Sequence, residues 1–134
     1  MIDCAEIDRK LGLRMVKTLL LCTRHQADYF LFVTAGDRPF RAGAFSATMH
    51  CARVSFAPRE MLPEKLGVQL GAATAFGLLC PQARDVPLVV DRRVAEQPFF
   101  GCSDGTTTGV LRQRTADVLE RLFPGARVLE VADA

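Results

Sequence analysis

Two apolar runs, Lys17 to Thr23 and Tyr29 to Thr34, are separated only by the polar Arg24-His25-Gln26-Ala27-Asp28, a spacing that predicts a β-hairpin. Ala35-Gly36-Asp37-Arg38-Pro39 reads as the turn that follows it. Upstream, Asp3 to Leu11 carries good helix formers and stops at Gly12, which suits a C-cap. Ala42 to Met49 is expected to form a short helix and Ala52 to Phe56 a short strand. Pro58 opens a helix that runs to Leu66 and ends at Gly67, the usual Pro-first, Gly-last asymmetry. Val68 to Gly77 is rich in residues with little or no side chain. Leu78, Cys80 to Asp85 and Val86 to Asp91 follow as strand, turn and strand. Phe99 and Phe100 lead into Gly101 to Thr108, read as a turn entering a strand. Thr115 serves as the N-cap of a helix to Phe123, closed by Pro124-Gly125, and Arg127 to Val131 forms a last strand. Short strands outnumber helices and mix with them irregularly. The pattern predicts an α+β fold in one domain, residues 1–134, with a mixed, strongly curved sheet flanked by helices.

Composition narrows the function classes. With 134 residues, 49% hydrophobic and 24% charged, the chain can bury a core and is not of disordered composition. No apolar run approaches the roughly 20 residues that a membrane-spanning helix needs. Met1 to Lys10 is charged, which does not fit a secretory leader, so a cytoplasmic protein is expected. The net charge of +2 is too small to announce a dedicated nucleic-acid binder, though it leaves room for a small phosphate footprint. Five cysteines (Cys4, Cys22, Cys51, Cys80, Cys102) are dispersed without Cys-x-x-Cys spacing, and only His25 and His50 could join them. That pattern predicts reduced thiols acting as small core hydrophobes, with no metal site and no cofactor. Cys51 beside His50 is not a dyad by adjacency alone, because neighbouring strand side chains point to opposite faces.

Three segments carry candidate chemistry. Lys17 opens an apolar strand and reads either as a strand-end lysine reaching solvent or as a fixed cation for a phosphate or a developing oxyanion. Gly71 to Gly77 (Gly-Ala-Ala-Thr-Ala-Phe-Gly) would let a ligand approach the backbone closely, or would serve a tight junction that needs small residues for packing. Its spacing fits neither a P-loop nor a dinucleotide fingerprint, which disfavours nucleoside triphosphate hydrolysis. Ser103-Asp104-Gly105-Thr106-Thr107-Thr108 offers side-chain oxygens for a ribose, an amino group or a water, and is equally ordinary turn and strand chemistry.

Taken together these segments resemble the YbaK/prolyl-tRNA-synthetase-associated editing domain family, which includes free-standing ProX-type proteins and the insertion domain of bacterial prolyl-tRNA synthetase. Val16-Lys17-Thr18-Leu19-Leu20-Leu21 is similar to the family's "K-[NT]-L-F-L" strand. Leu66 to Leu78 is similar to its "LGV-x-PG-[SA]-[VA]-T-P-FG-L" loop. Gly101 to Leu111 with Thr115-Ala116-Asp117-Val118-Leu119 aligns to its "G-F-H-P-x-x-N-T-x-x-L…DLL" segment. The resemblance covers roughly residues 3 to 131 and implies a barrel-like mixed sheet and hydrolysis of the ester joining a wrong amino acid to its tRNA. It places Lys17 on the family's functional lysine and Gly71, Ala72, Ala73, Thr74 and Ala75, with Gly77, on the loop around the aminoacyl group. Ser103, Asp104 and Thr107 fall on the amino-acid pocket. The implied partner is the 3′ aminoacyl-adenosine end of a mischarged tRNA, tRNA-Pro with a small non-cognate residue, with prolyl-tRNA synthetase as a partner the family admits; neither a membrane nor DNA is implied.

The departures bear on specificity. Ala75 replaces the family's loop proline, Ser103-Asp104 its His-Pro and Thr107 its asparagine. Serine for histidine changes pocket size and polarity, and Asp104 adds a carboxylate suited to an α-amino group. The expectation is deacylase chemistry with an altered amino-acid preference. The alternative is a non-catalytic module that binds an aminoacyl or nucleotide-like ligand, or a tRNA end, on the same fold. Affinity for free tRNA is expected to be weak, because a nearly neutral domain offers little electrostatic footprint.

Overall fold

The hairpin expected from the first two apolar runs lies at the centre of a five-stranded sheet in the computed structural model. The structure describes residues 16–24, 28–36, 40–58, 60, 61, 64, 66, 77, 78, 83, 86–103 and 110–129. Strands β1 (Val16–Thr23) and β2 (Tyr29–Ala35) pair antiparallel, from Val16 opposite Ala35 to Cys22 opposite Tyr29. Thr23 ties off the hairpin: its N–H donates to the Asp28 carbonyl at 2.9 Å, and its Oγ1 accepts from the Asp28 N–H at 2.9 Å. Strand β3 (Val54–Phe56) pairs antiparallel with β1, β4 (Leu88–Asp91) parallel with β2, and β7 (Arg127–Leu129) parallel with β4. Strands β5 (Phe99–Ser103) and β6 (Val110–Arg114) form a separate antiparallel pair. The fold is therefore α+β with a mixed sheet. Among the described residues that sheet is open, with β3 and β7 as its edges.

Alternation along the strands divides the interior in two. Leu20, Leu31, Val33, Leu88 and Val90 face one core, which Leu66, Val94, Cys102 and Val118 complete. Their strand neighbours Leu21, Phe32 and Val89 face the other, with Phe45 and Val54. Because successive strand residues point to opposite faces, runs apolar at every position are the mark of a sheet covered on both sides. Helix α1 (Ala42–Met49) covers the second face. It begins at Arg41 without a side-chain cap and ends at His50, whose N–H donates to the Ala47 carbonyl at 3.3 Å and whose left-handed φ of 55° turns the Cys51 N–H onto the Ser46 carbonyl at 3.1 Å. The buried Ser46 hydroxyl donates to the Ala42 carbonyl at 2.8 Å and accepts from the Val54 N–H at 3.0 Å, fastening α1 to β3.

Several elements depart from the sequence expectations. Gly101, Cys102 and Ser103 belong to β5 rather than to a turn: Cys102 fills the first core, and pairing with β6 outweighs the turn propensity of Gly101 and Ser103. A short helix α2 (Arg92–Ala95) follows β4, started by Asp91, whose side chain accepts from the Arg93 N–H. Leu78, read as strand, lies with Gly77 in a tight helical turn. The stretch from Thr115 is helical and π-type over Asp117–Leu122, but Thr115 is not its side-chain cap; its Oγ1 is buried with no hydrogen-bond partner among the described residues. Met61, Glu64 and Leu66 are helical as expected, and the Asp3 to Leu11 helix lies outside the described residues.

Candidate functional site

Lys17 is the second residue of β1, half-buried, and stands opposite Thr34 of β2. Thr34 is itself buried, and its Oγ1 donates to Asp91 Oδ2 at 2.9 Å across the β2–β4 junction. The other carboxylate oxygen, Oδ1, accepts from the Arg93 N–H at 3.0 Å. Asp91 is only 1% exposed, and these hydrogen bonds contribute to making a buried carboxylate tolerable. Lys17 is thus mounted on a strand whose neighbouring row is cross-braced by polar contacts rather than by packing alone. Neither Thr34 nor Asp91 stands out in the sequence as a site residue. The available signal was Asp91 itself, a polar residue ending the apolar Leu88-Val89-Val90 directly before a helix start.

Strand β5, which ends at Ser103, packs against β1. The structure therefore makes neighbours of the strands that carry Lys17 and Ser103. Gly71, Ala72, Ala73, Thr74, Ala75, Asp104 and Thr107 lie outside the described residues.

Gly77 has a packing explanation of its own. A Cβ placed there would stand 2.8 Å from Leu66 Cβ and 3.0 Å from the Leu66 carbonyl oxygen, and Leu66 is fully buried in the first core. Gly77→Ala is expected to destabilise the protein by about 1–3 kcal/mol, through overpacking against backbone that cannot yield. Thermal or urea unfolding measures this, and an unchanged midpoint would remove the close-approach explanation.

Other nucleophile candidates are weak. Burial pushes the Cys51 thiol above its ordinary pKa, and the charge of Asp28 adds to this against a backbone hydrogen bond that lowers it. A raised thiol pKa makes a poor thiolate nucleophile. Its neighbour His50 is exposed, and it is the backbone N–H of His50, not the imidazole, that caps α1. Cys22 and Cys102 are buried thiols that pack as small hydrophobes. The pKa of the Tyr29 phenol is also raised, first by burial and then by Cys22 and Glu64. Among the described residues no group of three or more His, Cys, Asp or Glu could hold a metal ion, and no helix is long and apolar enough to cross a membrane.

Comparison with known proteins gives this arrangement a context. Residues 3–120 match the family model described as an aminoacyl-tRNA editing domain. A comparison with curated protein sequences found no match. Among solved structures, the chain is similar to a candidate trans-editing enzyme for prolyl tRNA synthetase, with 19% identity and a TM-score of 0.79 over 98% of this chain and 80% of that one. It is also similar to a hypothetical protein, at 23% identity and a TM-score of 0.77 over 96% of this chain and 82% of that one. A scaffold for presenting linear epitopes, made by backbone grafting, shares 17% identity and a TM-score of 0.80 over 100% and 83% of the two chains. At such identities the structural likeness establishes the fold. The family match, which spans most of the sequence, establishes more: the chain belongs to the aminoacyl-tRNA editing domain family.

Proposed function

We propose that the protein is a trans-acting aminoacyl-tRNA deacylase that proofreads translation in the cytoplasm by hydrolysing the ester of a mischarged tRNA. The observation that carries this reading is Lys17, on a β1 that pairs with the Thr34 row of β2 and packs against β5, in a chain of the editing-domain family. Water adds to the ester carbonyl, the carbonyl oxygen gains negative charge, and the bond to the terminal ribose breaks, leaving a free amino acid and a tRNA with its hydroxyl restored. A compact cation such as Lys17 is suited to the adjacent phosphate or to that oxyanion. In this reading Gly71 to Ala75, with Gly77, surround the aminoacyl group by backbone, while Ser103, Asp104 and Thr107 set its selectivity. No side chain need act as a strong base if backbone and the substrate's own ribose hydroxyl orient the water. The packing of β5 against β1 also supports a sheet that curls towards a barrel within one domain, residues 1–134.

The finer assignment is a small non-cognate residue on tRNA-Pro, with prolyl-tRNA synthetase as a partner. It draws support from the family resemblance and from the described role of the solved structure above. The test is hydrolysis of tRNA-Pro carrying Ala, Cys, Ser, Thr or 2-aminobutyrate, with Pro as control. Release of one non-cognate residue well above the spontaneous rate, with Pro retained, is the expected result. No release from any of them would leave a substrate outside the proline set or the second reading, a binding module without turnover, which the substitutions at Ala75 and Ser103-Asp104 motivate.

A further inference from the structure

The β5–β6 hairpin carries a basic and aromatic strip that neither the core nor the pocket residues account for. In its register Phe99 opposes Arg114 and Gly101 opposes Arg112. Phe99, Arg112 and Arg114 therefore share one face, and Phe99 and Arg112 form a diagonal cross-strand pair. The opposite face belongs to the core, where Cys102 is buried and Leu111 packs beside it. The Arg112 guanidinium carbon lies 4.3 Å from the centre of the Phe99 ring. Gly101, directly across from Arg112, presents no side chain to obstruct that approach. Both arginines are exposed, and neither strand contains an Asp or Glu. Among the described residues neither arginine has an ion pair, whereas Arg92 and Arg121 are matched by Glu96 at 3.9 Å and Asp117 at 3.8 Å.

We propose that this strip is the track along which the single-stranded 3′ end of a tRNA lies before its aminoacyl terminus enters the pocket, an inference that rests on the editing reading. Arg112 and Arg114 stand about 7 Å apart along β6, two positive charges suited to a backbone of repeating phosphates. The guanidinium held over Phe99 supplies a planar surface on which an unpaired base can stack, as single-strand readers commonly provide. From Phe99 the strand runs about 13 Å to Ser103. The strip thus leads towards the strand end that the proposed function assigns to the aminoacyl group. Two charges and one ring make a modest footprint, in keeping with a net charge of only +2.

Fluorescence anisotropy with uncharged hairpin RNA ending in a single-stranded NCCA overhang, against the same hairpin made blunt, tests the strip without reference to turnover. The wild type is expected to prefer the overhang. Arg112→Ala and Arg114→Ala should each weaken binding several-fold at about 50 mM salt and reduce the log–log salt slope by about 0.7. Arg112→Lys, which keeps the charge but not the plane, should fall between wild type and Arg112→Ala. Arg121→Ala is the control for loss of an exposed arginine elsewhere, and thermal melts confirm that each variant is folded. Overhang binding that is unchanged in the Arg112→Ala, Arg114→Ala double variant overturns the proposal, as does equal binding of blunt and overhang RNA. A wild type that deacylates while these variants bind normally would sink the strip and spare the editing reading. Arginine-dependent overhang binding without deacylation would do the reverse.

Discussion

Replacing Lys17 with alanine is expected to lower deacylation of the best mischarged substrate by about two to three orders of magnitude, the scale seen when one preorganised oxyanion donor is lost. The fold should survive. Lys17 is half-buried near the start of β1, its cross-strand partner Thr34 is held independently by Asp91, and the core residues Leu20 and Leu21 lie farther along the strand. Any loss of stability is expected to fall well short of that from truncating a core residue, and thermal unfolding measures it. The kinetic form of the loss assigns the role. A fall in kcat with KM retained places the ammonium on charge that develops in the transition state, whereas a rise in KM alone places it on a phosphate bound equally throughout. Lys17→Arg is not a neutral control, because a planar fork cannot occupy the position of a compact point charge. A folded Lys17→Ala protein that turns over at the wild-type rate would remove the residue from the mechanism.

What the sequence made legible follows the strength of the local signal. The β1–β2 hairpin was readable because Lys17 to Thr23 and Tyr29 to Thr34 are apolar enough to be buried on both faces, and α1 was found at Ala42–Met49 as expected. Strand β5 was missed because Gly101 and Ser103 carry turn propensity, and only the long-range pairing with β6 decides otherwise. The helix α2 was missed because four residues cannot show a helical period; its cap, Asp91, is defined by a hydrogen bond that requires the fold. The same limit applies to the site. Lys17 was accessible as the residue that opens an apolar, family-like strand, while its relation to Thr34 and Asp91 joins residues distant in sequence. The strip on β5–β6 lay further out of reach: Phe99, Arg112 and Arg114 come together only through a register that the sequence does not display.

Phe45→Ala is expected to produce the largest loss of stability, about 3–5 kcal/mol, from a total that for a domain of this kind is about 5–15 kcal/mol. Phe45 is 0% exposed and anchors α1 to the sheet, its ring centre 5.0 Å from that of Phe32, 6.0 Å from Phe30 and 6.1 Å from Phe40. Apart from Phe45 and the Ser46 link to β3, little holds the helix. It has no side-chain cap at its start, contains Gly43 and Thr48, and spans only eight residues, well short of what forms alone in water. Truncation leaves a cavity bordered by Phe32, Leu21 and Val89, which belong to rigid central strands and cannot collapse into it. Phe45→Leu should retain most of the stability, since it keeps much of the buried volume. Denaturant unfolding checks both variants, and a loss below about 1 kcal/mol for Phe45→Ala would mean that α1 is not docked through this ring. The contrast with Lys17 is itself diagnostic. Activity of Phe45→Ala should decline only as the folded fraction declines on warming, whereas Lys17→Ala should be inactive at temperatures where it is fully folded.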